Sequence, residues 1–402
     1  MTVQFADRIK VIKPSPSMEA KVKVDALRAT GEEIIDFTLG EPDFPTPAHI
    51  AAEGIAAIGR GDTRYTASAG TLALRQAIVN KLNKENGLDF NVSNIIVGGG
   101  AKQVIYSAFA ATINPGDEVI VPSPYWVSYP DMAALHGGCP VFVKCSQAQG
   151  FKLTPKALSQ AITPKTRWLV LNTPNNPTGA VYSHAELVAL AKVLEAHPKV
   201  MLMTDEIYEH FVYNGINHVS PASLSSILRE RTLLINGLSK SYAFTGWRVG
   251  YGAGPVELIK AINLLMSQST SCASAISQAA AVIALNGSHD CVKHNVAEYE
   301  TRRDLMVRFL NDIPGIDCRK PEGAFYVFPS VEGLLGRKTP EGKVLETDVD
   351  VMHFFLESAK VATIDGTSYG LSPHLRLSFA TSIAAIEKGC QAMAKAVLRC
   401  SH

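Results

Sequence analysis

Asn94–Val121, NIIVGGGAKQVIYSAFAATINPGDEVIV, sets the architecture of the whole chain. Asn94-Ile95-Ile96-Val97 is a short apolar run that stops at three glycines, Gly98 to Gly100. From Ala101 to Ile113 the apolar positions Val104, Ile105, Ala108 and Phe109 recur at helical spacing. Asn114-Pro115-Gly116-Asp117 ends that helix, and Glu118-Val119-Ile120-Val121 opens another strand. Strand, glycine turn, helix, strand is the unit of a parallel sheet.

The pattern repeats downstream. Pro140–Val143, Trp168–Leu171, Val200–Met203 and Thr232–Ile235 read as strands, with a helix over about Ser183–Glu195 between the second and third of these. None alternates cleanly between polar and apolar, as expected of a sheet covered on both faces. From Val292 the texture shifts to a long charged amphipathic helix through Leu310. Hairpin-like pieces over Gly323–Pro329, a polar loop over 336–347 and a closing helix over Ile383–Leu398 follow. The expected fold is α/β: a large domain with a mostly parallel, helix-covered sheet, plus a smaller α+β domain from the N- and C-terminal parts. The expected boundaries are 1–46 for an N-terminal arm with part of the small domain, 47–291 for the large domain, and 292–402 for the small C-terminal domain.

With 402 residues, 47% hydrophobic and 19% charged, the chain has ample material for large cores. Lys plus Arg (38) nearly cancels Asp plus Glu (37), and Arg302-Arg303 sits among Glu298, Glu300 and Asp304. That balance argues against nucleic acid or an anionic membrane as partner. The first residues lack the apolar core of a secretory signal, and the nearly apolar Ala275–Leu285 is too short to span a bilayer. Seven cysteines, odd in number and never spaced Cys-x-x-Cys, point to reduced thiols in a cytoplasmic protein. Metal-ligand spacing is missing, the stretch Asp205–His210 included, so no metal is expected.

Every unusual polar cluster follows a strand, where ligands bind in doubly wound sheets. After Leu171 comes Asn172-Thr173-Pro174-Asn175-Asn176-Pro177-Thr178-Gly179, and after Met203 comes Thr204-Asp205-Glu206-Ile207-Tyr208. After Ile235 comes Asn236-Gly237-Leu238-Ser239-Lys240-Ser241, with Arg248 eight residues beyond the lysine. Each cluster alone is also what a turn or helix cap looks like. Together they make a kit. An enclosed lysine can form a Schiff base with an aldehyde cofactor, and a carboxylate can keep a pyridine nitrogen protonated so that the ring accepts electrons. Glycines at a helix start, with Arg248, can cradle phosphate. They do not form a Walker A loop, and Gly250-x-Gly252-x-Gly254 fails the dinucleotide spacing. Phe354-Phe355 and Phe325-Tyr326 read as core packing, and no histidine sits in nucleophile-triad spacing.

These motifs resemble those of the pyridoxal-phosphate-dependent class I aminotransferases of fold type I, most closely the bacterial-type aspartate aminotransferases. The likeness runs from Lys13-Pro14-Ser15 to Arg376-Leu377-Ser378. It includes Gly-Glu-Pro-Asp-Phe at 40–44, Pro-Tyr-Trp at 124–126, Asn-Asn-Pro-Thr-Gly at 175–179, Asp-Glu-Ile-Tyr at 205–208 and Thr-Gly-Trp-Arg ending at Arg248. The resemblance implies Lys240 as Schiff-base lysine and proton carrier and Asp205 as partner of the pyridine nitrogen. It implies Tyr208 and Asn176 on the ring oxygen, Trp126 stacked on the ring, and Gly100, Ala101, Lys102, Ser239 and Arg248 around the phosphate. Tyr65 matches a tyrosine that reaches the neighbouring subunit's phosphate, so a homodimer with shared sites is implied. Arg376 matches the clamp for the substrate α-carboxylate, with Gly40 offering its backbone. Lys102, with Ser15 and Ser17 from the partner subunit, matches the distal-carboxylate side, and Lys13 leaves room for a bulkier dicarboxylate such as prephenate.

The expected reaction is ping-pong transfer of an amino group between aspartate or glutamate and oxaloacetate or 2-oxoglutarate. Aromatic, alanine or prephenate-type substrates, a lyase, racemase or decarboxylase on the same scaffold, and an idle cofactor-binding regulator are the rivals. One departure stands out: Gly237 occupies a position where many relatives carry a phosphate-binding Ser or Thr.

Overall fold

A computed structural model describes residues 3–14 and 16–401; Ser15 lies outside the described residues, and the side chain of Ser17 is likewise not described. Three sheets organise the chain. The strands are β1 (Ile35–Asp36), β2 (Ile95–Gly98), β3 (Glu118–Ser123), β4 (Cys139–Lys144), β5 (Thr166–Asn172), β6 (Met201–Asp205), β7 (Thr232–Gly237), β8 (Gly250–Ala253), β9 (Tyr326–Val327), β10 (Val361–Ala362), β11 (Ile364–Asp365) and β12 (Leu375–Ser378). The seven-stranded sheet has the order β2-β8-β7-β6-β5-β3-β4. Its pairs are parallel except those made by β8, which runs against both neighbours. The mostly parallel sheet is as expected; β8 is an addition to the sequence reading.

Helices cover both faces. On one, α4 (Ala101–Thr112), the fourth helix after α1 (Pro16–Ala29), α2 (Ala48–Arg60) and α3 (Leu72–Asn86), sets Val104, Ile105, Ala108 and Phe109 against Ile96, Val119, Val121 and Trp168. On the other, Leu74, Ile78 and Leu82 of α3 meet Val97, Leu234 and Tyr251, while Leu187, Leu190 and Leu194 meet Leu169, Leu171 and Leu202. Each fully buried aliphatic side chain contributes roughly 1.5–3 kcal/mol. The sheet is therefore pinned from both sides, and its strand ends are rigid mounts. The edge strand β4 departs from the all-buried reading: its residues are exposed or half-buried, and Phe142, 53% exposed, stacks on Tyr125.

The chain start and end meet. β1 pairs in parallel with β10, through Ile35↔Val361 and Asp36↔Ala362. Gly323–Pro329 does not form a local hairpin; its strand β9 pairs antiparallel with β12, and β12 with β11. The long helix runs from Asp290 to Asn311 and the closing one from Ile383 to Val397, each within two residues of expectation.

Candidate active site

At the end of β2 the backbone turns through Gly100 (φ 98°, ψ 157°), a conformation reserved for glycine, and α4 starts with no side-chain cap. Its first amides are thus left for an acceptor at the positive end of the helix dipole. A methyl group on Gly100 would collide with the Arg248 guanidinium, which donates to the carbonyls of Thr245 (2.9 Å) and Gly99 (3.2 Å). Ala243 (φ 50°) and Arg248 (φ 58°) both sit in the left-handed region. That costs about 1–3 kcal/mol each, so the surroundings over-determine this turn. Beneath the helix start, Gly98, Gly250 and Gly237 line up across β2, β8 and β7. A Cβ on Gly250 would strike the Ala101 amide nitrogen, and one on Gly237 would lie 3.0 Å from the Gly250 Cα. Gly237, the departure noted in the sequence, therefore sits in close packing, where a side chain would press on Gly250, Val249 and Ile207.

Asp205 closes β6, paired with Asn172 of β5. Its carboxylate accepts from the Tyr129 hydroxyl (2.6 Å) and the Ile207 N–H (3.1 Å). Burial pushes the Asp205 pKa up to about 6, against those two donors. Asn172 donates to the Asp205 carbonyl (2.9 Å) and accepts from the Asn176 N–H (2.7 Å), locking the two strand ends together. Tyr129, on α5 (Ser128–Leu135), was missed from sequence; its one signal is that it sits a helical turn beyond Trp126.

Lys240 donates to the Gly40 carbonyl at 2.6 Å. The residue keeps some surface, but burial of its amino end pulls its pKa down to about 8, helped by the charges of Arg376 and Arg248 and opposed by Glu41 and Asp205. Arg376, on β12 and 2% exposed, donates to the Thr38 carbonyl (2.6 Å) and lies 3.4 Å from Asn176 Oδ1. Its Nε is buried with no partner among the described residues. The Thr38–Gly40 crossing is held in turn by Asp43, which takes both contacts from Arg302 Nη1 (2.7 and 2.9 Å). Tyr208 and Tyr326 share a hydroxyl contact of 2.9 Å. Tyr326 is buried as expected, yet its hydroxyl faces the site, so the reading of it as packing alone is corrected.

These groups line one cavity of about 310 Å³: Gly40, Ala101, Lys102, Trp126, Asn176, Asp205, Tyr208, Ser239, Lys240, Arg248 and Arg376, together with Tyr129 and Tyr326. The Lys102 ammonium stands 4.8 Å from the Trp126 ring centroid, and burial followed by the Arg248 charge lowers its pKa. Gly100 supports the cavity without lining it. Tyr65, 91% exposed, and the exposed Lys13 do not reach the cavity of their own chain. A larger cavity of about 550 Å³ between α1 and Met352–Leu356 is lined by none of the residues chosen from sequence.

A lysine with an easily lost proton, a buried carboxylate, an anion cradle and an arginine clamp can together hold a phosphorylated ring and a carboxylate substrate. The family described as "Aminotransferase class I and II" matches residues 32–393. The probable aspartate/prephenate aminotransferase of Rhizobium leguminosarum bv. phaseoli is 49% identical over 387 residues, covering 96% of this chain and 97% of its own. The aspartate aminotransferase of Rhizobium meliloti (strain 1021) is 48% identical over 398 residues, covering 99% and 97%. Among solved structures, the aspartate aminotransferase from Rhizobium meliloti superposes with a TM-score of 0.97 at 48% identity, covering 100% of both chains. That from Thermus thermophilus with maleate gives 0.92 at 39% identity, covering 98% of this chain and 100% of that one.

Proposed function

This chain belongs to the class I and II aminotransferases, and from that premise we propose that it transfers amino groups between dicarboxylic amino acids and 2-oxo acids, with pyridoxal 5′-phosphate as cofactor. The residues fit that group. The cradle at Gly100, Ala101, Lys102, Ser239 and Arg248 suits its phosphate: the α4 start has no side-chain cap, and Gly100 lets the Arg248 guanidinium pack directly against the turn, where a Cβ would collide with it. Asp205 suits its ring nitrogen, Tyr208 and Asn176 its ring oxygen, and Trp126 its face. When bound, the cofactor supplies an electron sink for the pair left behind as the substrate α-carbon loses its proton.

The chain's own residues do the rest. Arg376 grips the α-carboxylate through its planar fork, with Nε, which has no partner among the described residues, as a further donor. Lys240 Nζ, its pKa lowered to about 8, sheds its proton far more readily than a surface lysine and is the group that carries the proton to and from the α-carbon. Tyr129 and the Ile207 N–H hold the Asp205 anion in place. Lys102 supplies a cation for the distal carboxylate, with Ser15 and Ser17 coming from a partner subunit and Lys13 leaving room for a bulkier dicarboxylate such as prephenate. The highly exposed Tyr65 supports that shared-site homodimer. We further propose the division at 1–46, 47–291 and 292–402, supported by the β1–β10 pairing of the two ends, and a cytoplasmic location, supported by seven free cysteines. No helix among the described residues is long and apolar enough to cross a membrane.

The observation that carries the reading is the convergence of Lys240, Asp205 and Arg376 on one cavity. A coupled assay with 2-oxoglutarate and a panel of amino acids tests it. Aspartate should be the best donor; a preference for aromatic donors, or products of elimination or racemisation, would overturn it. Prephenate as acceptor is the second reading, supported by the aspartate/prephenate names of relatives 46–49% identical.

A further inference from the structure

Behind the turn that carries Lys240, three side chains from distant parts of the chain converge. Glu85 comes from the last turn of α3, His210 from the segment after β6, and His289 from the start of the helix Asp290–Asn311. Each oxygen of Glu85 meets one imidazole: Oε2 lies 3.1 Å from His210 Nε2 and Oε1 lies 3.5 Å from His289 Nε2. The ligand atoms of all three lie within 4.8 Å of one another. We propose that Glu85, His210 and His289 form a binding site for a zinc-class divalent cation, separate from the catalytic cavity.

The donor set is the first support. Two imidazole nitrogens and one carboxylate suit borderline ions of the zinc type, with a fourth position left open. Spacing is the second. Tetrahedral bonds of about 2.0–2.1 Å place neighbouring ligand atoms about 3.3–3.4 Å apart. The 3.1 Å from Oε2 to His210 and the 3.5 Å from Oε1 to His289 involve different carboxylate oxygens, so an ion taking one oxygen needs the Glu85 carboxylate to turn and the ligand atoms, all within 4.8 Å, to draw together.

The surroundings are the third. The other ring nitrogen of His210 bonds the Ser241 hydroxyl at 2.7 Å, the outer contact that fixes the orientation of a ligating histidine. Tyr242 packs its ring 6.5 Å from the His210 ring and 6.2 Å from that of His289, and its buried hydroxyl has no hydrogen-bond partner among the described residues. Two lysines oppose a cation here: Lys84, whose charge is felt at His289, and the Lys81 ammonium, 3.6 Å from Glu85. Lys81 is already engaged by Glu209 and Asn86.

A neighbouring cluster shows the contrast. Glu206 is saturated by His218, Ser220 and Thr204, and Glu209 by Lys81, Asn86 and Asn236, so no oxygen there is left for an ion. Ligand spacing in the sequence could not reveal the Glu85 site, because Glu85 and His210 sit 125 residues apart and His289 lies far beyond both. An ion there ties His210 to Ser241, the residue next to Lys240. It braces the catalytic turn without entering the cavity.

Chelator-treated holoenzyme, titrated with Zn²⁺ by calorimetry and with Co²⁺ in the visible spectrum, tests this. One ion per chain should bind, and Zn²⁺ should raise the melting temperature. His289→Asn and Glu85→Gln should each weaken binding by at least about tenfold, since even outer contacts to a metal carry that much. His289→Asn should keep its metal-free transaminase activity and lose the zinc-dependent rise in melting temperature. Absence of saturable binding, or equal affinity in wild type and both variants, would place any bound ion on thiols or on the cofactor and overturn the proposal.

Discussion

Lys240, Asp205 and Lys102 each hold a charge that the cavity makes unusual, and each can be removed separately. Lys240→Ala should lose about 10²–10⁴-fold or more in kcat, the usual cost of losing a nucleophile and proton carrier. Its cofactor should still bind through the α4 cradle, as equilibrium dialysis would measure. For Asp205 the sign of the pH effect is informative. Its folded pKa is near 6, while the ordinary value is 3.8. Between them the native state holds more protons than the unfolded chain, so stability falls as pH rises through that window and the burden of a buried anion persists above it. The cofactor-free Asp205→Asn protein should therefore gain stability over wild type progressively from pH 4 to 6 and keep the gain at pH 7, even as activity collapses. Urea denaturation at several pH values reads this; parallel profiles would show that the anion is not strained. Lys102→Ala should raise KM for aspartate far more than for alanine or phenylalanine, because only aspartate loses a charge-assisted bond (about 1.5–3 kcal/mol). Steady-state kinetics on the three donors checks it.

Among elements, the glycine row under α4 is the most demanding. Gly250→Ala drives a methyl into the Ala101 amide, a backbone atom with nowhere to retreat. It should cost about 1–3 kcal/mol of stability and weaken pyridoxal phosphate binding together, as denaturation and cofactor titration would record. Unchanged affinity would mean that α4 does not need its seat. This row also explains what could and could not be read in advance. β2, β3, β5, β6 and β7 were legible because each is an apolar run with a polar or glycine stop, and buried strands are written that way. β8 was not. Gly250-Tyr251-Gly252-Ala253 has no apolar run, and its glycines answer to atoms far along the chain: Val104 lies 2.8 Å from a Cβ on Gly252. The same blindness hid Tyr129 and the Tyr326 hydroxyl, whose partners are 76 and 118 residues away. Motifs carried Lys240, Asp205 and Arg376 into view; contacts between motifs stayed invisible.

For the molecule as a whole, large apolar side chains stand exposed where a partner would cover them: Ile55 (73%), Ile58 (57%), Tyr65 (91%) and Leu72 (63%). The proposed homodimer places these residues, on α2, α3 and the segment between them, at its interface. Light scattering should give twice the 43.2 kDa chain mass, and Tyr65→Phe should weaken cofactor binding if the tyrosine serves the opposite site. Full activity in a monomer would refute shared sites. The crossing segment near residue 40 matters in another way. Two carbonyls, of Thr38 and Gly40, already solvate the Arg376 and Lys240 cations with main-chain oxygen. A ligand engaging either cation trades places with peptide rather than with bulk water, so most of the dehydration of these charges belongs to folding and not to binding. Substrate recognition here becomes an exchange of acceptors, in which an ionised carboxylate, the stronger acceptor, takes the place of a neutral peptide oxygen.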